Sequence, residues 1–142
     1  MFFGTYSHTL DAKNRLIIPS ELRPDLGDVF FITQNLDNCL SLYPAADFNA
    51  LREKLDTLPK ITNEAARKLR RFYFANSRKM EPDAQGRILI PGTLREYAGR
   101  KKKLVLLGVD DHVEIWDEDT WNTYNKETRP EDLLYDLKGF EL

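Results

Sequence analysis

A stretch of nine residues occurs twice in this chain, and it constrains what the rest can fold into. Asp11-Ala12-Lys13-Asn14-Arg15-Leu16-Ile17-Ile18-Pro19 returns 72 positions later as Asp83-Ala84-Gln85-Gly86-Arg87-Ile88-Leu89-Ile90-Pro91. Asp, Ala, Arg, the last Ile and Pro are identical in the two copies. The match extends outward, with Leu22-Arg23 over Leu94-Arg95 and Gly27 over Gly99. After one inserted residue, the segment 36–43 lies over 109–116, and Phe48 falls on Trp121. Apolar and aromatic positions persist while polar ones drift, which marks one structural unit used twice.

Each copy predicts the same pieces. Residues 5–10 read as a short strand and 11–14 as a turn, in which Asp11 accepts backbone hydrogen bonds. Asn14 tolerates positive φ, and its counterpart Gly86 is the residue best suited to it. Residues 15–18 form a β-branched strand stopped by Pro19. Ser20 begins a helical turn ending near Gly27. Residues 29–33 and 39–43 complete the unit as strands. The second copy supplies strands at 79–83, 87–90, 103–107 and 113–116.

A unit of about 45 residues rarely buries enough apolar surface to fold alone. Two such units in one chain are expected to pair about a pseudo-twofold axis and share one core. Their strands are expected to interleave in a closed or nearly closed barrel, which removes exposed edges.

Between the copies the texture changes. Phe48, Leu51, Leu55 and Leu58 are spaced like the buried stripe of a helix that Pro59 ends. Thr62-Asn63-Glu64 caps a second helix running toward Phe74, with Arg67, Lys68, Arg70 and Arg71 on its other face. After the second copy, Asp117-Glu118-Asp119 suits a helix N-terminus. Trp121 and Tyr124 share one face of that helix, Pro130 breaks it, and residues 131–137 form one more. The fold class is therefore α+β. Its expected segments are unit one at 1–47, a helical hairpin at 48–75, unit two at 76–119 and a C-terminal helical segment at 120–142.

Composition excludes several classes. With 42% apolar and 31% charged residues, the chain is globular rather than disordered. No apolar run approaches the roughly 20 residues of a membrane helix, and the N-terminus does not read as a signal peptide. A single cysteine, Cys39, rules out an internal disulfide and suits a reducing cytoplasm. Cys39 reads as a small apolar filler, and His8 and His112 as polar strand residues. Net charge is −2, so any attraction to phosphate rests on local surfaces. Residues 48–75 carry a net +4, and the run Arg100-Lys101-Lys102-Lys103 precedes a strand. Either basic segment suits phosphate, a solvated face or a neighbouring subunit.

The double Asp-x-x-x-Arg admits two readings. In the plain one, Asp caps a turn and Arg pairs with it across a hairpin, an exposed ion pair of little energetic weight. In the functional one, an Arg held at the rim of a rigid hairpin enters a DNA groove and reads guanine O6 and N7 bidentately.

The order of motifs resembles the MraZ family. The resemblance is carried by Met1-Phe2-x-Gly4, the repeated Asp-x-x-x-Arg-(apolar)₃-Pro, Leu42-Tyr43-Pro44 and Ile115-Trp116-Asp117, and it covers essentially the whole chain. It implies two AbrB/SpoVT-type swapped-hairpin units in a bacterial transcriptional regulator. It further implies a cytoplasmic, nucleoid-associated protein that forms ring-shaped homo-oligomers. Such a protein binds short direct repeats of double-stranded DNA upstream of the division and cell-wall gene cluster, its own promoter included.

The family's DNA-binding signature falls on Asp11, Arg15, Asp83 and Arg87. The arginines then reach DNA, the aspartates orient them, and Lys13 meets phosphate. Arg78 and Lys79 are secondary candidates, and Gln85 in place of Lys13 makes the two halves unequal readers. Phe3 stands where the family usually carries Arg. Asn14 stands where it carries Gly, and keeps the same backbone shape.

No cofactor, metal, membrane or small-molecule substrate is expected. The alternative is an antitoxin-like interaction module on the same fold, without specific DNA binding. An enzyme is disfavoured, because the chain shows no glycine-rich phosphate loop, nucleophile–base pair or metal-ligand cluster.

Overall fold

The structure is a computed structural model that describes residues 1–99 and 101–141. Its centre is a six-stranded antiparallel sheet built from β1 (Thr5–Thr9), β3 (Phe30–Gln34), β4 (Leu40–Pro44), β5 (Arg78–Met80), β7 (Lys103–Gly108) and β8 (Val113–Asp117). The strand order is β1-β7-β8-β4-β3-β5. The remaining two strands, β2 (Arg15–Ile17) and β6 (Arg87–Leu89), pair with each other in a separate two-stranded ribbon.

This order places strands of each copy beside strands of the other. β1 runs along β7, and β5 along β3. At the centre, Ser41 faces Glu114, with Leu40 opposite Ile115 and Leu42 opposite Val113. In the ribbon Leu16 faces Ile88, flanked by Arg15 opposite Leu89 and Ile17 opposite Arg87. Both registers read the same when the copies are exchanged.

The expected closed barrel is not found: β1 and β5 are open edges of the sheet. The cause is local. Residues 79–83 were expected as a strand, but β5 ends at Met80 and the chain leaves the ladder before Pro82, which has no N–H to donate. β2 and β6 are three residues each, cut short ahead of Pro19 and Pro91, so each finds only the other as a partner.

One core joins the ribbon to the sheet. Leu16, Ile18, Ile88 and Ile90 pack with Phe30, Ile32, Leu40, Leu42, Leu106, Val113 and Ile115. Helices α1 (Arg23–Leu26) and α4 (Gly92–Ala98) add Leu22, Leu26 and Leu94 to the same cluster. The opposite face of the sheet carries helices. Alternation along β7 and β8 turns Val105, Leu107 and Trp116 outward, where Trp121 of α5 (Glu118–Lys126) packs against them. On the neighbouring strands, Phe48 of α2 (Ala45–Asp56) stacks on Phe31 at 4.4 Å.

Helix α2 starts at Ala45, earlier than the apolar stripe suggested, because the chain enters it directly from Pro44. Asn63 caps α3 (Glu64–Phe74) by accepting from the Ala66 N–H, and Asp117 caps α5 through the Thr120 N–H. Phe74 of α3 meets Phe48 edge-on, so α2 is covered on its second side. Among the described residues the corresponding helix α5 has no such aromatic cover on its second side. α6 (Pro130–Asp136) follows it with Leu133, Leu134 and Tyr135 exposed, as are Tyr124, Leu137 and Phe140. No helix among the described residues is long and apolar enough to cross a membrane.

Candidate nucleic-acid interface

The two Asp-x-x-x-Arg turns are built alike. The Asn14 N–H donates to the Asp11 carbonyl at 3.0 Å, and the Asp11 N–H to the Arg15 carbonyl at 3.0 Å. Asn14 has φ 61° and Gly86 φ 77°, the left-handed residue that closes a three-residue hairpin with a bulge. The second turn repeats the bonds, Gly86 N–H to Asp83 O at 2.9 Å and Asp83 N–H to Arg87 O at 3.0 Å.

Each aspartate does two things. Asp11 Oδ1 accepts from the N–H groups of Lys13 (2.8 Å) and Arg15 (2.9 Å), while Oδ2 accepts from Arg15 Nε at 2.7 Å. Asp83 Oδ1 accepts from the N–H groups of Gln85 (3.0 Å) and Arg87 (2.9 Å), and its Oδ2 from Arg87 Nε at 2.8 Å. The Arg15 backbone N–H, assisted by the Arg15 guanidinium and the Lys13 N–H, holds the Asp11 carboxyl at about 2. The equivalent bonds from Arg87 and Gln85 hold Asp83 below the ordinary carboxylate range. Both carboxylates are therefore ionised at neutral pH.

The grip on Nε leaves the far end of the guanidinium open. Among the described residues, Arg15 Nη1 and Nη2 have no hydrogen-bond partner in the chain. Arg87 Nη2 donates to Gln85 Oε1 at 3.2 Å. The arginine side chains are 30% and 25% exposed, enough to be reached from outside yet pinned at the base.

The turns are cross-braced by the opposite copy. The Ile18 N–H donates to the carbonyl of Gly86 at 2.9 Å, and the Ile90 N–H reaches that of Asn14 at 3.5 Å. Arg23 Nε donates to Ile18 O at 2.7 Å, and its Nη2 to Gln85 O at 3.4 Å. At the first turn the brace differs: Lys102 Nζ donates to Asn14 Oδ1 at 2.7 Å and to Asp11 O at 3.3 Å. The difference follows from one residue. A Cβ on Gly86 would lie 2.7 Å from Arg23 Nε, so a side chain there excludes the guanidinium. Asn14 carries that side chain, and the equivalent Arg95 has a buried Nε without a hydrogen-bond partner.

Sequence reasoning assigned no role to Arg23 or Lys102 in these turns. The Arg23/Arg95 identity in the repeat was a usable signal for the first; nothing set Lys102 apart from its neighbours. Lys101 instead pairs with Asp119 at 2.9 Å, and Arg100 lies outside the described residues.

The other candidates are placed as follows. Lys13 is exposed at the tip of the first turn. Arg78 and Lys79 are exposed on edge strand β5 rather than on the ribbon, with Lys79 3.6 Å from Glu81. Three of the four basic side chains of α3 are engaged within the chain, and Arg71 is exposed. Arg67 donates to the carbonyls of Lys60 and Ile61, Lys68 pairs with Glu64, and Arg70 lies over the Phe74 ring and 3.8 Å from Asp56. Among the described residues no group of three His, Cys, Asp or Glu side chains is arranged to hold a metal ion.

The family model described as "MraZ protein, putative antitoxin-like" matches residues 1–71 and 73–135, two stretches that begin as far apart as the internal repeat. This chain belongs to the MraZ family. Relatives called transcriptional regulator MraZ include one from Clostridium beijerinckii, 49% identical over 126 residues, covering 89% of this chain and 88% of that protein. Another, from Clostridium botulinum strain Eklund 17B, is 47% identical over 137 residues, covering 96% and 93%. A third, from Carboxydothermus hydrogenoformans, is 46% identical over 124 residues, covering 87% and 86%. In this MraZ chain the paired turns stand at the two ends of one ribbon, each arginine clamped at Nε by its own aspartate.

Proposed function

We propose that this chain is a sequence-specific DNA-binding transcriptional regulator, with the β2–β6 ribbon as its reading head. One observation carries the reading: Asp11 holds Arg15 by Nε and, among the described residues, leaves both η nitrogens of this part-exposed side chain without a partner. Two parallel N–H donors match the O6 and N7 acceptors of guanine in the major groove, which admits a two-stranded ribbon. Arg87 serves the second turn with one η nitrogen partly occupied by Gln85, so Arg15 is the stronger reader. Asp11 and Asp83 are positioning residues. Lys13, Arg78 and Lys79 contact phosphate, and so set register rather than sequence.

The two copies act as AbrB/SpoVT-type swapped-hairpin units at 1–47 and 76–119, joined by the helical segment 48–75. The segment 120–142 provides contacts between copies in a ring-shaped assembly. The exposed Tyr124, Leu133, Leu134, Tyr135, Leu137 and Phe140 support that last assignment, because so much uncovered apolar surface on one terminal segment calls for a partner. The names of the relatives support the regulatory role. The targets are short direct repeats upstream of the division and cell-wall gene cluster, its own promoter included, and binding takes place at the nucleoid in the cytoplasm.

The test is a titration of DNA from upstream of the chain's own gene at one fixed salt concentration. A bidentate arginine–guanine contact contributes about 1–3 kcal/mol, so Arg15→Ala weakens specific binding by roughly 5- to 150-fold. Equal affinity of wild type and Arg15→Ala refutes the reading. The same exposed α6 favours a second reading, an antitoxin-like module. It predicts a small protein recovered at fixed stoichiometry and no footprint on DNA.

A further inference from the structure

The outer face of the ribbon carries more than its arginines. Leu16 and Ile88 turn inward and are 0% and 3% exposed, so Arg15, Ile17, Arg87 and Leu89 turn outward together. The register sets them as a small parallelogram: Arg15 is opposite Leu89, and Ile17 opposite Arg87. The two guanidinium groups thus occupy one diagonal and the two aliphatic side chains the other. Ile17 is 44% exposed and Leu89 60%, on a three-residue strand pair where a polar residue would satisfy the fold equally well.

Among the described residues nothing covers this pair, and the charges around it choose the occupant. A second ribbon face would bring four arginines together, which is repulsive. Two aliphatic side chains also offer far less area than the roughly 1,200 Å² at the lower end of stable protein interfaces. The floor of a DNA major groove has the opposite sign of charge. It offers one apolar group, the C5-methyl of thymine.

We infer that Leu89 and Ile17 each pack on a thymine methyl, next to the guanines read by Arg15 and Arg87, so that the ribbon distinguishes thymine from cytosine by shape as well as guanine by hydrogen bonds. The inference rests on the ribbon being the DNA-reading face. Directly opposite residues are about 5 Å apart, against a base-pair rise of about 3.4 Å. Each aliphatic side chain therefore lies one or two base steps from the guanine facing its cross-strand arginine. A methyl, unlike a hydrogen-bonding edge, is the only feature there that an aliphatic side chain complements.

The experiment begins by selecting duplexes that bind the full-length protein from a random pool. Each thymine of the selected sequence is then replaced singly by deoxyuridine, which removes the methyl and nothing else. Affinities are measured for wild type, Leu89→Ala, Ile17→Ala and Arg15→Ala at one salt concentration, with circular dichroism and light scattering on every variant. Two thymines are expected to lose roughly fourfold on demethylation, the worth of one buried methyl group. That sensitivity is expected to vanish at one position in Leu89→Ala and at the other in Ile17→Ala.

Selected DNA that responds to Arg15→Ala, yet to no deoxyuridine or equally in the alanine variants, overturns the inference and leaves the proposed function standing. A changed particle mass for Leu89→Ala or Ile17→Ala with no methyl sensitivity overturns it in favour of contact between copies. Failure of the pool to yield any preferred sequence overturns both.

Discussion

Gly86→Ala is the substitution that most directly probes the cross-bracing of the turns. Gly86 has φ +77°, and an L side chain in that region costs about 1–2 kcal/mol. The new Cβ would also lie 2.7 Å from Arg23 Nε, which donates to Ile18 O. The guanidinium is the mobile end of a long side chain, so it swings away rather than forcing the backbone. What is lost is its hydrogen bond to a carbonyl at the base of the ribbon, worth about 1 kcal/mol. The expected destabilisation is therefore about 2–3 kcal/mol, of which roughly 1 kcal/mol belongs to Arg23.

Urea unfolding at a fixed protein concentration measures it, since assembly makes apparent stability concentration-dependent. The decomposition is tested by repeating Gly86→Ala in an Arg23→Ala background. There the cost should fall to about 1–2 kcal/mol, leaving a coupling near 1 kcal/mol between two residues in contact. Asn14→Gly is the control. It relieves a left-handed non-glycine residue and gives up the Lys102 hydrogen bond, two changes of similar size and opposite sign. A cost for Gly86→Ala below about 0.5 kcal/mol, or the same cost in both backgrounds, refutes the bracing argument.

Asp11→Asn should keep the turn, because an amide oxygen still accepts from the Lys13 and Arg15 N–H groups. Its Nδ2 cannot accept from Arg15 Nε, so specific DNA affinity falls, and the unfolding midpoint at neutral pH falls too because the ionised carboxylate's share of the stability is gone; unaltered affinity contradicts this. The Asp11 carboxyl titrates at about 2 in the folded chain, below its ordinary value. Its stabilising contribution is complete above about pH 4, disappears as pH falls toward about 2, and the acid limb of the stability curve flattens in Asp11→Asn. His112 runs the other way. Burial pulls it down, but bonds to Glu114 and Asp111 outweigh that and raise it. Its contribution is full below about pH 6.5 and fades as pH rises through the raised value, so His112→Gln should flatten stability on that side in urea titrations. Leu16→Ala removes a side chain with 0% exposure from beneath the ribbon and should cost about 2–5 kcal/mol in unfolding free energy.

The turns were legible because their chemistry is local. Asp11, Asn14 and Arg15 span five residues, and the bonds among them follow from what each side chain accepts, donates or tolerates. The caps at Asn63 and Asp117 were readable for the same reason. The open sheet was not. Barrel closure depends on whether short strands reach one another, and Pro82 shortens β5 without altering the repeat pattern around it. The braces were hidden because Arg23 meets Gln85 across 62 positions and Lys102 meets Asn14 across 88. His112, expected as a plain strand residue, lies just before β8 and stacks on Tyr43 at 5.0 Å while bonding Asp111 and Glu114. Only the folded sheet brings that ring and those carboxylates together. The outward Ile17 and Leu89 could be found in the sequence only as apolar residues beside a buried one, since which face lies against the core is set by the partner ribbon.

The two halves of the ribbon share a backbone and differ in their fittings. At one end Asn14 recruits Lys102 and Arg15 keeps both η nitrogens; at the other Gly86 admits Arg23 and Gln85 takes one η nitrogen of Arg87. A reader with unequal ends has a direction. If its ends were equal, its preferred sequence would be a palindrome, and the orientation of successive sites along DNA would be immaterial. With unequal ends, several readers bind together only when each meets its site in the same sense. A ring relates its members by rotation alone, with no twofold axis to reverse one against the next. On the proposed function, then, the unequal ends, with Lys13 beside an Arg15 whose η nitrogens are unoccupied at one and Gln85 bonded to Arg87 at the other, favour DNA elements that run as direct rather than inverted repeats.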